Sequence, residues 1–307
     1  MMAPVAVTMG DPAGIGPELC LRAAGSAAVI GSRRILERVA ERLHLPLPRR
    51  IVDVTPSGLD PDAIRPGQVQ REAGLIAAAA IEEAIAGARA GRYAAVATAP
   101  IHKQAIHLAG VPFPGHTEWF ADRCGVAGET MLLYHRRCAV ALATVHVPLR
   151  AVPELVTPER LVETGRLLAA ALRRIRGRPP RIAVLGCNPH AGEGGLFGDE
   201  DRRAIPAVAE LLQLGIDAEG PLPPDTAFTP AARARYDGWV CWYHDQGLAP
   251  FKALCMDDGV NVTLGLPIVR TSVDHGTAFD IAWQGRADAR SLRAAITLAR
   301  RLARDPV

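Results

Sequence analysis

The sequence predicts an α/β fold with a mainly parallel sheet, and three observations support this. Strand-like apolar runs alternate with amphipathic helical segments along the 307 residues, which is the order that βαβ units produce. A content of 49% hydrophobic and 22% charged residues is ordinary for a globular protein with a large core. Five of the runs are each followed by a chemically active residue, namely Asp11, Lys103, His146, His190 and His244. Ligands of open α/β sheets bind beyond the carboxyl ends of the strands, so these residues indicate one composite active site.

The predicted elements follow one another in a regular order. The strand-like runs cover residues 5–9, 94–97, 139–145, 182–187 and 239–243. Apolar residues recur at helical spacing between them, which predicts helices over 35–43, 72–89, 158–174, 204–214 and 291–302. Segment 49–70 is rich in Pro, Gly and Asp, and we expect it to form an excursion on the surface.

Length and charge restrict the classes of function. A chain of 307 residues exceeds the usual size of one core, so we expect two domains. The net charge of +3 is small, and the one arginine-rich stretch, 173–181, is typical of a solvated helix end. We therefore expect no nucleic-acid partner.

The cysteines and the N-terminal segment indicate a cytoplasmic enzyme. The six cysteines form no C-x-x-C pair and lie in apolar surroundings, which favours free thiols in a reducing compartment. The first residues lack the cationic region of a signal peptide. No apolar stretch reaches the roughly 18 residues that a membrane span needs, so we expect no membrane partner.

Two further features are candidates for function. Only Lys103 and Lys252 among the 35 basic residues are lysines, so a compact ammonium group is favoured at both positions, with chance in an arginine-rich chain as the alternative. The glycine-rich segment 10–18 joins a strand to a helix, and it is equally compatible with a tight turn and with an active-site loop. No G-x-G-x-x-G and no G-x-x-x-x-G-K-[ST] sequence is present, so no ordinary nucleotide motif can be assigned.

The histidines that follow strand-like runs suggest a metal site. Three neutral imidazoles from His146, His190 and His244 could hold a divalent cation and leave positions open for substrate oxygens. No short ligand motif such as H-E-x-x-H links them. A structural hydrogen-bonding role for each histidine therefore remains the alternative from spacing alone.

Several long blocks of sequence carry a resemblance to a known family. They are Thr8-Met9-Gly10-Asp11-Pro12-Ala13-Gly14-Ile15-Gly16-Pro17-Glu18, Gly115-His116-Thr117-Glu118, Asn188-Pro189-His190-Ala191-Gly192-Glu193, Gly220-Pro221-Leu222-Pro223-Pro224-Asp225-Thr226, Tyr243-His244-Asp245-Gln246-Gly247, and the segment from Val260 to Ala278. Together they resemble the 4-hydroxythreonine-4-phosphate dehydrogenase (PdxA) family from residue 5 to about residue 290.

The resemblance implies a fold of the isocitrate/isopropylmalate-dehydrogenase type, with two α/β/α domains and an active-site cleft between them. The first domain would comprise residues 1–115 plus 255–307, on the cofactor side. The second, residues 116–254, would carry the metal ligands and the dimer contacts. A homodimer with an active site shared between subunits is implied.

The resemblance also implies a set of ligands. His146, His190 and His244 would bind one divalent metal ion (Zn, Mg, Co or Mn), with His244 supplied by the partner subunit. Substrate contacts would come from His116, Thr117, Lys252, Asn261 and Arg270. The cofactor, NAD or NADP, would lie near Asn261 and the loop of His275, Gly276, Thr277 and Ala278.

The implied reaction is the oxidation of 4-phosphohydroxy-L-threonine to a 3-oxo acid, followed by decarboxylation to 3-amino-2-oxopropyl phosphate, a step of pyridoxal phosphate biosynthesis. Asp225 and Asp245 could act as the general base or orient the histidines, and we favour the second role. Lys103 could be an acid or base if burial or the metal lowered its pKa.

Two departures from the family pattern leave other substrates open. The chain is short within 23–70, and residues 253–258 differ from what we expect of vitamin B6 enzymes. The alternatives are D-threonate or D-erythronate 4-phosphate and a dihydrodiol carboxylate. A non-catalytic relative that binds metal or ligand is the alternative from another class, although the three histidines and the cation pair Lys252 and Arg270 are in place.

Overall fold

The computed structural model describes residues 3–256 and 258–304. Its strands are β1 (Val5–Thr8), β2 (Ala28–Gly31), β3 (Arg50–Asp53), β4 (Ala95–Thr98), β5 (Thr130–His135), β6 (Cys138–Leu142), β7 (Arg181–Leu185), β8 (Asp217–Leu222), β9 (Gly238–Cys241), β10 (Val260–Leu264) and β11 (Arg270–Val273). Its helices are α1 (Gly16–Ala23), α2 (Arg33–Leu43), α3 (Arg71–Arg89), α4 (Lys103–Leu108), α5 (His116–Cys124), α6 (Val152–Leu155), α7 (Pro158–Arg176), α8 (Ala204–Gln213), α9 (Pro230–Arg235), α10 (His244–Cys255) and α11 (Arg290–Leu302).

The chain divides into two compact units. Unit 1 comprises residues 1–127 and 266–307, and unit 2 comprises residues 128–265. The boundaries therefore fall at 127 and 265, whereas the sequence placed them near 115 and 254. As a consequence, His116 and Thr117 belong to unit 1 and β10 belongs to unit 2.

Unit 1 is built on a parallel sheet. Its strand order is β3-β2-β1-β4-β11, and every pair with a described register in it is parallel. Strands β1 and β4 consist wholly of buried residues, which fits their short apolar sequences. The core packs residues of α3, such as Ile81 and Ile85, against the sheet and against Trp119 and Phe120 of α5.

Unit 2 has a mixed sheet. Its order is β10-β5-β6-β9-β7-β8, with β5 antiparallel to both β10 and β6 and the remaining pairs parallel. Helix α7 begins at the N-cap Thr157, whose hydroxyl accepts a hydrogen bond from Arg160 N, and ends at Gly177 in a left-handed conformation. The fully buried residues Trp239 and Phe251 anchor the core.

The α/β alternation and the mainly parallel pairing predicted from the sequence are confirmed, and each predicted strand and helix overlaps an observed one. The expectation for segment 49–70 was wrong in part. Arg50–Asp53 forms the edge strand β3 beside β2, and Ile64 is fully buried. Among the helices of the described residues, none combines the length and apolarity needed to cross a membrane.

Candidate active site

In unit 1, a buried guanidinium lies among hydroxyl groups. Arg270 begins β11 and is only 2% exposed. Its guanidinium donates to Thr98 Oγ1 at 3.0 Å and to Thr117 Oγ1 at 3.5 Å, and it lies 5.6 Å from the ring centroid of Phe120. Burial lowers the pKa of Arg270 to about 10, so the group stays charged at neutral pH. We call Thr98, His116, Thr117 and Arg270 the Arg270 cluster.

His116 adds an open polar atom to this cluster. Its Nε2 is buried, and no hydrogen-bond partner for it is found among residues 3–256 and 258–304. Burial, reinforced by the charge of Arg270, holds the pKa of His116 well below its ordinary value, so the ring is neutral at pH 7. His116 and Thr117 also form the first turn of α5, where backbone N–H groups lack helical partners and favour anions. The Arg270 cluster is therefore suited to bind a small anion.

The glycine-rich segment packs against the loop expected to bind cofactor. Ile15 N donates to Thr277 O at 3.0 Å, and a Cβ at Gly14 would lie only 2.8 Å from that same oxygen. Gly10 has a φ of +69°, and a Cβ there would collide with the carbonyl of Pro100. Two chain segments can approach this closely only because the turn carries glycine, which supports an active-site loop over a plain turn.

Asp11 lies in that turn as a buried carboxylic acid. It is 1% exposed, and its Oδ1 accepts a hydrogen bond from Ala13 N at 2.8 Å. Within the described part of the chain, its Oδ2 has no hydrogen-bond partner. Burial raises the pKa of Asp11 from 3.8 to about 6, with the Ala13 hydrogen bond opposing the shift. Buried acids with raised pKa values cluster at functional sites.

The residues that flank this turn are more exposed. Lys103 is exposed at the start of α4, and His102 before it stacks on Phe279 with ring centroids 4.7 Å apart. In the expected cofactor loop, His275 and Gly276 are exposed and Thr277 and Ala278 are half-buried. Ala278 adopts a left-handed φ of 43°, which is uncommon for a residue with a side chain.

In unit 2, two of the three histidines lie together. The ring centroids of His146, which follows β6, and His244, the first residue of α10, are 5.7 Å apart within one chain. His244 Nδ1 lies 2.7 Å from Asp245 Oδ1. A carboxylate accepts the Nδ1 hydrogen, which leaves Nε2 of His244 as the free donor atom for a metal. The resemblance had placed His244 of the partner subunit at this position.

His190 lies on a strained loop. Residues 190–194 all have positive φ values, and three of them, His190, Ala191 and Glu193, are not glycine. Left-handed backbone costs such residues roughly 1–2 kcal/mol each. Strain of this kind persists only where the surroundings impose it, and it is frequent at functional sites.

The buried carboxylate of Asp201 holds the start of this loop. It accepts hydrogen bonds from Cys187 N at 2.6 Å, from Asn188 N at 3.2 Å and from Asn188 Nδ2 at 2.8 Å. A Cβ at Gly192 would contact Asp201 Oδ2 at 3.0 Å. The side chain of Asp201 therefore fixes the path of the backbone that presents His190.

The other expected residues of unit 2 have varied environments. Asp225 is exposed in the loop after β8, and Lys252 is half-buried on α10. Asn261 lies on β10, and its buried Oδ1 has no hydrogen-bond partner in the described ranges. Such an atom is a ready acceptor for a ligand.

The histidines of unit 2 fit a divalent cation in part. Imidazole nitrogens suit zinc, cobalt and related ions, and the Asp245 carboxylate behind His244 is a common support for a ligating histidine. Across residues 3–256 and 258–304, however, no group of three potential ligands is assembled. His146 and His244 therefore fit a cation as a pair, and His190 is not grouped with them in one chain.

Sequence reasoning missed several contributors. Thr98 and Phe120 contact Arg270 from far along the chain, and the pair Thr98 and Arg270 is separated by 172 positions. The role of Asp201 could not be predicted, because an acidic residue in a charged loop is common and its burial is not visible in the sequence. Asp11 was noted only as the residue after a strand, and its burial could not be read from the glycine-rich motif.

Comparisons with known proteins identify the family to which the chain belongs. The family model described as "Pyridoxal phosphate biosynthetic protein PdxA" matches residues 23–299. The chain is 45% identical to a 4-hydroxythreonine-4-phosphate dehydrogenase of Geobacter metallireducens, over 98% of this chain and 95% of that one. It is 41% identical to a D-threonate 4-phosphate dehydrogenase of Pectobacterium atrosepticum, over 97% of this chain and 99% of the other.

Solved structures of similar proteins support the same family and fold. A 4-hydroxythreonine-4-phosphate dehydrogenase from Klebsiella pneumoniae superposes with a TM-score of 0.87 at 41% identity, covering 98% of this chain and 100% of that one. A β-decarboxylating dehydrogenase from Thermococcus kodakarensis, at 15% identity and a TM-score of 0.53, shares the fold alone, with coverage of 98% and 84%. The predicted fold class is thereby confirmed. The chain belongs to the PdxA family, a family of dehydrogenases.

Proposed function

We propose that the chain oxidises the secondary alcohol of 4-phosphohydroxy-L-threonine with NAD or NADP and then releases CO₂, giving 3-amino-2-oxopropyl phosphate. Relatives at 44% and 45% identity carry the name of this dehydrogenase. The observation that carries the proposal is the Arg270 cluster. A buried guanidinium, two hydroxyl groups and an open imidazole nitrogen match the oxygens of a phosphate monoester.

Phosphate recognition is assigned mainly to unit 1. The planar guanidinium of Arg270 can donate two hydrogen bonds to one phosphate. Neutral His116 can donate from Nε2, and the first turn of α5 adds backbone N–H groups. Lys252 and Asn261 are also proposed as ligand contacts, Lys252 as a positive charge for the substrate and Asn261 as an acceptor for a substrate or cofactor hydroxyl.

A divalent cation is proposed at the histidines of unit 2. His146 and His244 would hold it together with His190, and when bound it would acidify the substrate hydroxyl and offset the negative charge that forms as CO₂ leaves. Asp245 keeps the His244 ring in the orientation that exposes Nε2. Asp225 is exposed and can exchange the hydroxyl proton with solvent. Lys103 is exposed as well, so burial does not prepare it as a base, and that role would depend on the metal.

Cofactor binding is proposed at the loop of His275, Gly276, Thr277 and Ala278. The contact between Ile15 and Thr277 ties this loop to the glycine-rich turn. A loop fixed in this way can hold a nicotinamide cofactor without the glycine motif of Rossmann folds. We place the enzyme in the cytoplasm, where all six cysteines can persist as the free thiols observed.

A sugar-acid phosphate is the second candidate substrate. Relatives from Pectobacterium and Salmonella, each 41% identical to the chain over 97% of its length, are named D-threonate 4-phosphate dehydrogenases. D-Threonate 4-phosphate keeps the carboxylate, the oxidised alcohol and the phosphate, and it differs at C2, where a hydroxyl group replaces the ammonium. The Arg270 cluster would serve both substrates equally. A dihydrodiol carboxylate lacks phosphate, so the cluster could bind only its carboxylate.

The decisive assay offers the cation-loaded protein 4-phosphohydroxy-L-threonine, D-threonate 4-phosphate and D-erythronate 4-phosphate in parallel, with NAD and with NADP. Formation of reduced nicotinamide is followed by absorbance, and His190→Ala is the control. We expect turnover of the aminated substrate. Preference for a sugar acid would support the second candidate, and no turnover of any phosphorylated acid would overturn both.

A homodimer with shared sites is part of the proposal. It is tested by mixing two inactive variants, His190→Ala and His244→Ala. If each site takes these residues from different subunits, mixed dimers contain one intact site and regain activity. If both come from the same chain, every site lacks one histidine and the mixture stays inactive.

A further inference from the structure

A cavity lined by arginines lies in unit 1, away from the residues discussed above. Its volume is about 430 Å³, within the range of about 300–1,000 Å³ typical of small-ligand sites. Arg49, Arg50, Arg300 and Arg304 line it together with Ser26. Among the described lining residues there is no carboxylate, so the cavity is strongly positive.

The cavity lies at the opposite edge of the sheet from Asp11 and Lys103. Val5 and Arg50 begin β1 and β3, and Ala94 directly precedes β4. Asp11 and Lys103 instead follow the carboxyl ends of β1 and β4. Strands of four residues separate the two edges by roughly 13 Å. An occupant of the cavity would therefore not compete with the substrate.

Among the described residues, arginines without a carboxylate partner, such as Arg33 and Arg42, also occur elsewhere in unit 1, so what sets the cavity apart is that it brings several of them together. Arg22, Arg34, Arg92 and Arg123 each form an ion pair with a carboxylate. Within residues 3–256 and 258–304, no side-chain hydrogen bond or ion pair is found for Arg49, Arg50 or Arg304, whereas Arg300 donates to Ser26 Oγ at 3.1 Å. The C-terminal dipole of α11 accounts for Arg300 and Arg304 in part. It does not account for Arg49 and Arg50, which lie on another element.

We propose that this cavity binds a compact anion that carries phosphate oxygens and at least two negative charges. Arginine forks match phosphate geometry, and several guanidiniums brought together without carboxylates repel one another until an anion neutralises them. Inorganic pyrophosphate is the probe. Binding is measured calorimetrically at constant ionic strength, and hydrogen–deuterium exchange locates the protected segments.

The test compares three forms of the full chain. In the wild type we expect pyrophosphate to slow exchange in segments 26–30 and 49–52. In Arg49→Ser/Arg304→Ser we expect the dissociation constant of this site to rise about tenfold or more. Arg136→Ser/Arg173→Ser is the matched control, because it removes the same charge from exposed positions of unit 2 and should bind as the wild type does.

The outcomes separate this site from the proposed substrate site. Protection confined to segments that contain Arg270 or His116 would overturn the cavity site, even if total binding were strong. Equal affinity in the wild type and the cavity variant would overturn it too. Asp305 follows Arg304 in sequence, so Asp305→Asn is tested in parallel. Binding seen only in that variant would mean that the natural chain has no working site.

Discussion

The two units prepare their functional groups in opposite ways. In unit 1, Arg270 is 2% exposed and is held by two hydroxyl groups, so the Arg270 cluster has a fixed geometry before any ligand arrives. In unit 2, His146 and His190 are exposed, and they are placed by loops rather than by strands. Under the proposed function, unit 1 would hold a preformed anion site, whereas the histidines of unit 2 would be completed by a bound group.

The largest effect is expected where the geometry is fixed. Arg270→Met removes the buried charge and keeps much of the side-chain volume. Loss of two charge-assisted hydrogen bonds to phosphate should lower kcat/KM by about 10³-fold. The measurement is steady-state formation of reduced nicotinamide with the phosphorylated substrate and with its dephosphorylated form.

Arg123→Met is the matched control, because Arg123 pairs with Glu82 on the exposed side of α5. It should leave kcat/KM unchanged. The dephosphorylated substrate should be oxidised slowly and almost equally by the wild type and Arg270→Met. A comparable loss with both substrates would show that Arg270 does not recognise phosphate.

The second effect concerns the loop that carries His190. Asp201→Asn replaces an acceptor-only carboxylate by an amide, whose NH₂ group must face an N–H donor of Cys187 or Asn188. We expect a loss of about 2–3 kcal/mol, concentrated in the loop. Hydrogen exchange of segment 187–195 should accelerate, and affinity for Co²⁺ should fall.

Asp199→Asn is the control for this variant, because its side chain is 75% exposed on the same loop. It should change neither quantity. If Asp201→Asn lowers only the free energy of unfolding and leaves loop exchange and Co²⁺ affinity unchanged, then the carboxylate does not position His190. The exchange measurement remains decisive even if the wild type binds no cation.

A smaller effect is expected at the Asp245–His244 pair. Asp245→Asn keeps the shape but weakens the acceptor for His244 Nδ1, and loss of such a support typically lowers metal affinity about 10–100-fold. The free energy of unfolding should change by less than about 0.5 kcal/mol, because the Asp245 side chain is 85% exposed. Isothermal titration with Co²⁺ provides the measurement.

The chain offers a matched pair for comparison. Asp258 lies 3.3 Å from His135 Nε2 in the same unit. Asp258→Asn should leave Co²⁺ affinity unchanged, because His135 is not among the proposed ligands. Equal affinities in the wild type and Asp245→Asn would exclude Asp245 as the residue that orients His244.

The contrast between the units also explains what the sequence could predict. Strands β1, β4 and β9 are fully buried apolar runs, so their local sequence pattern is sufficient to predict them as strands. Edge strand β3 begins and ends with exposed residues and therefore resembles a loop. The histidines could be named as candidates because they follow apolar runs. Thr98 and Phe120 were not predicted, because they contact Arg270 only through the tertiary packing of β4 and α5.

The smallest predicted effect is the change in the free energy of unfolding when the buried Asp11 of unit 1 is replaced. A pKa raised from 3.8 to about 6 means that the folded state disfavours the ionised carboxylate of Asp11. Its cost to the free energy of unfolding therefore grows as pH rises from 3.8 to about 6, and above that range the full cost is present. Asp11→Asn keeps an oxygen to accept from Ala13 N. We expect a gain of about 1–2 kcal/mol at pH 8, below the ceiling of about 3 kcal/mol that the shift allows, and a smaller gain at pH 5.

Denaturant unfolding at both pH values measures this gain, with Asp53→Asn as the control. Asp53 accepts a hydrogen bond from Thr55 N, the same local arrangement, but at an exposed position of unit 1. The control should show no gain. A destabilised Asp11→Asn at pH 8 would mean that ionised Asp11 has a stabilising partner. If the Asp11→Asn variant is more stable but less active, the carboxylate serves function at the expense of stability. Substitutions that relieve strain at active sites characteristically raise stability and lower activity in this way.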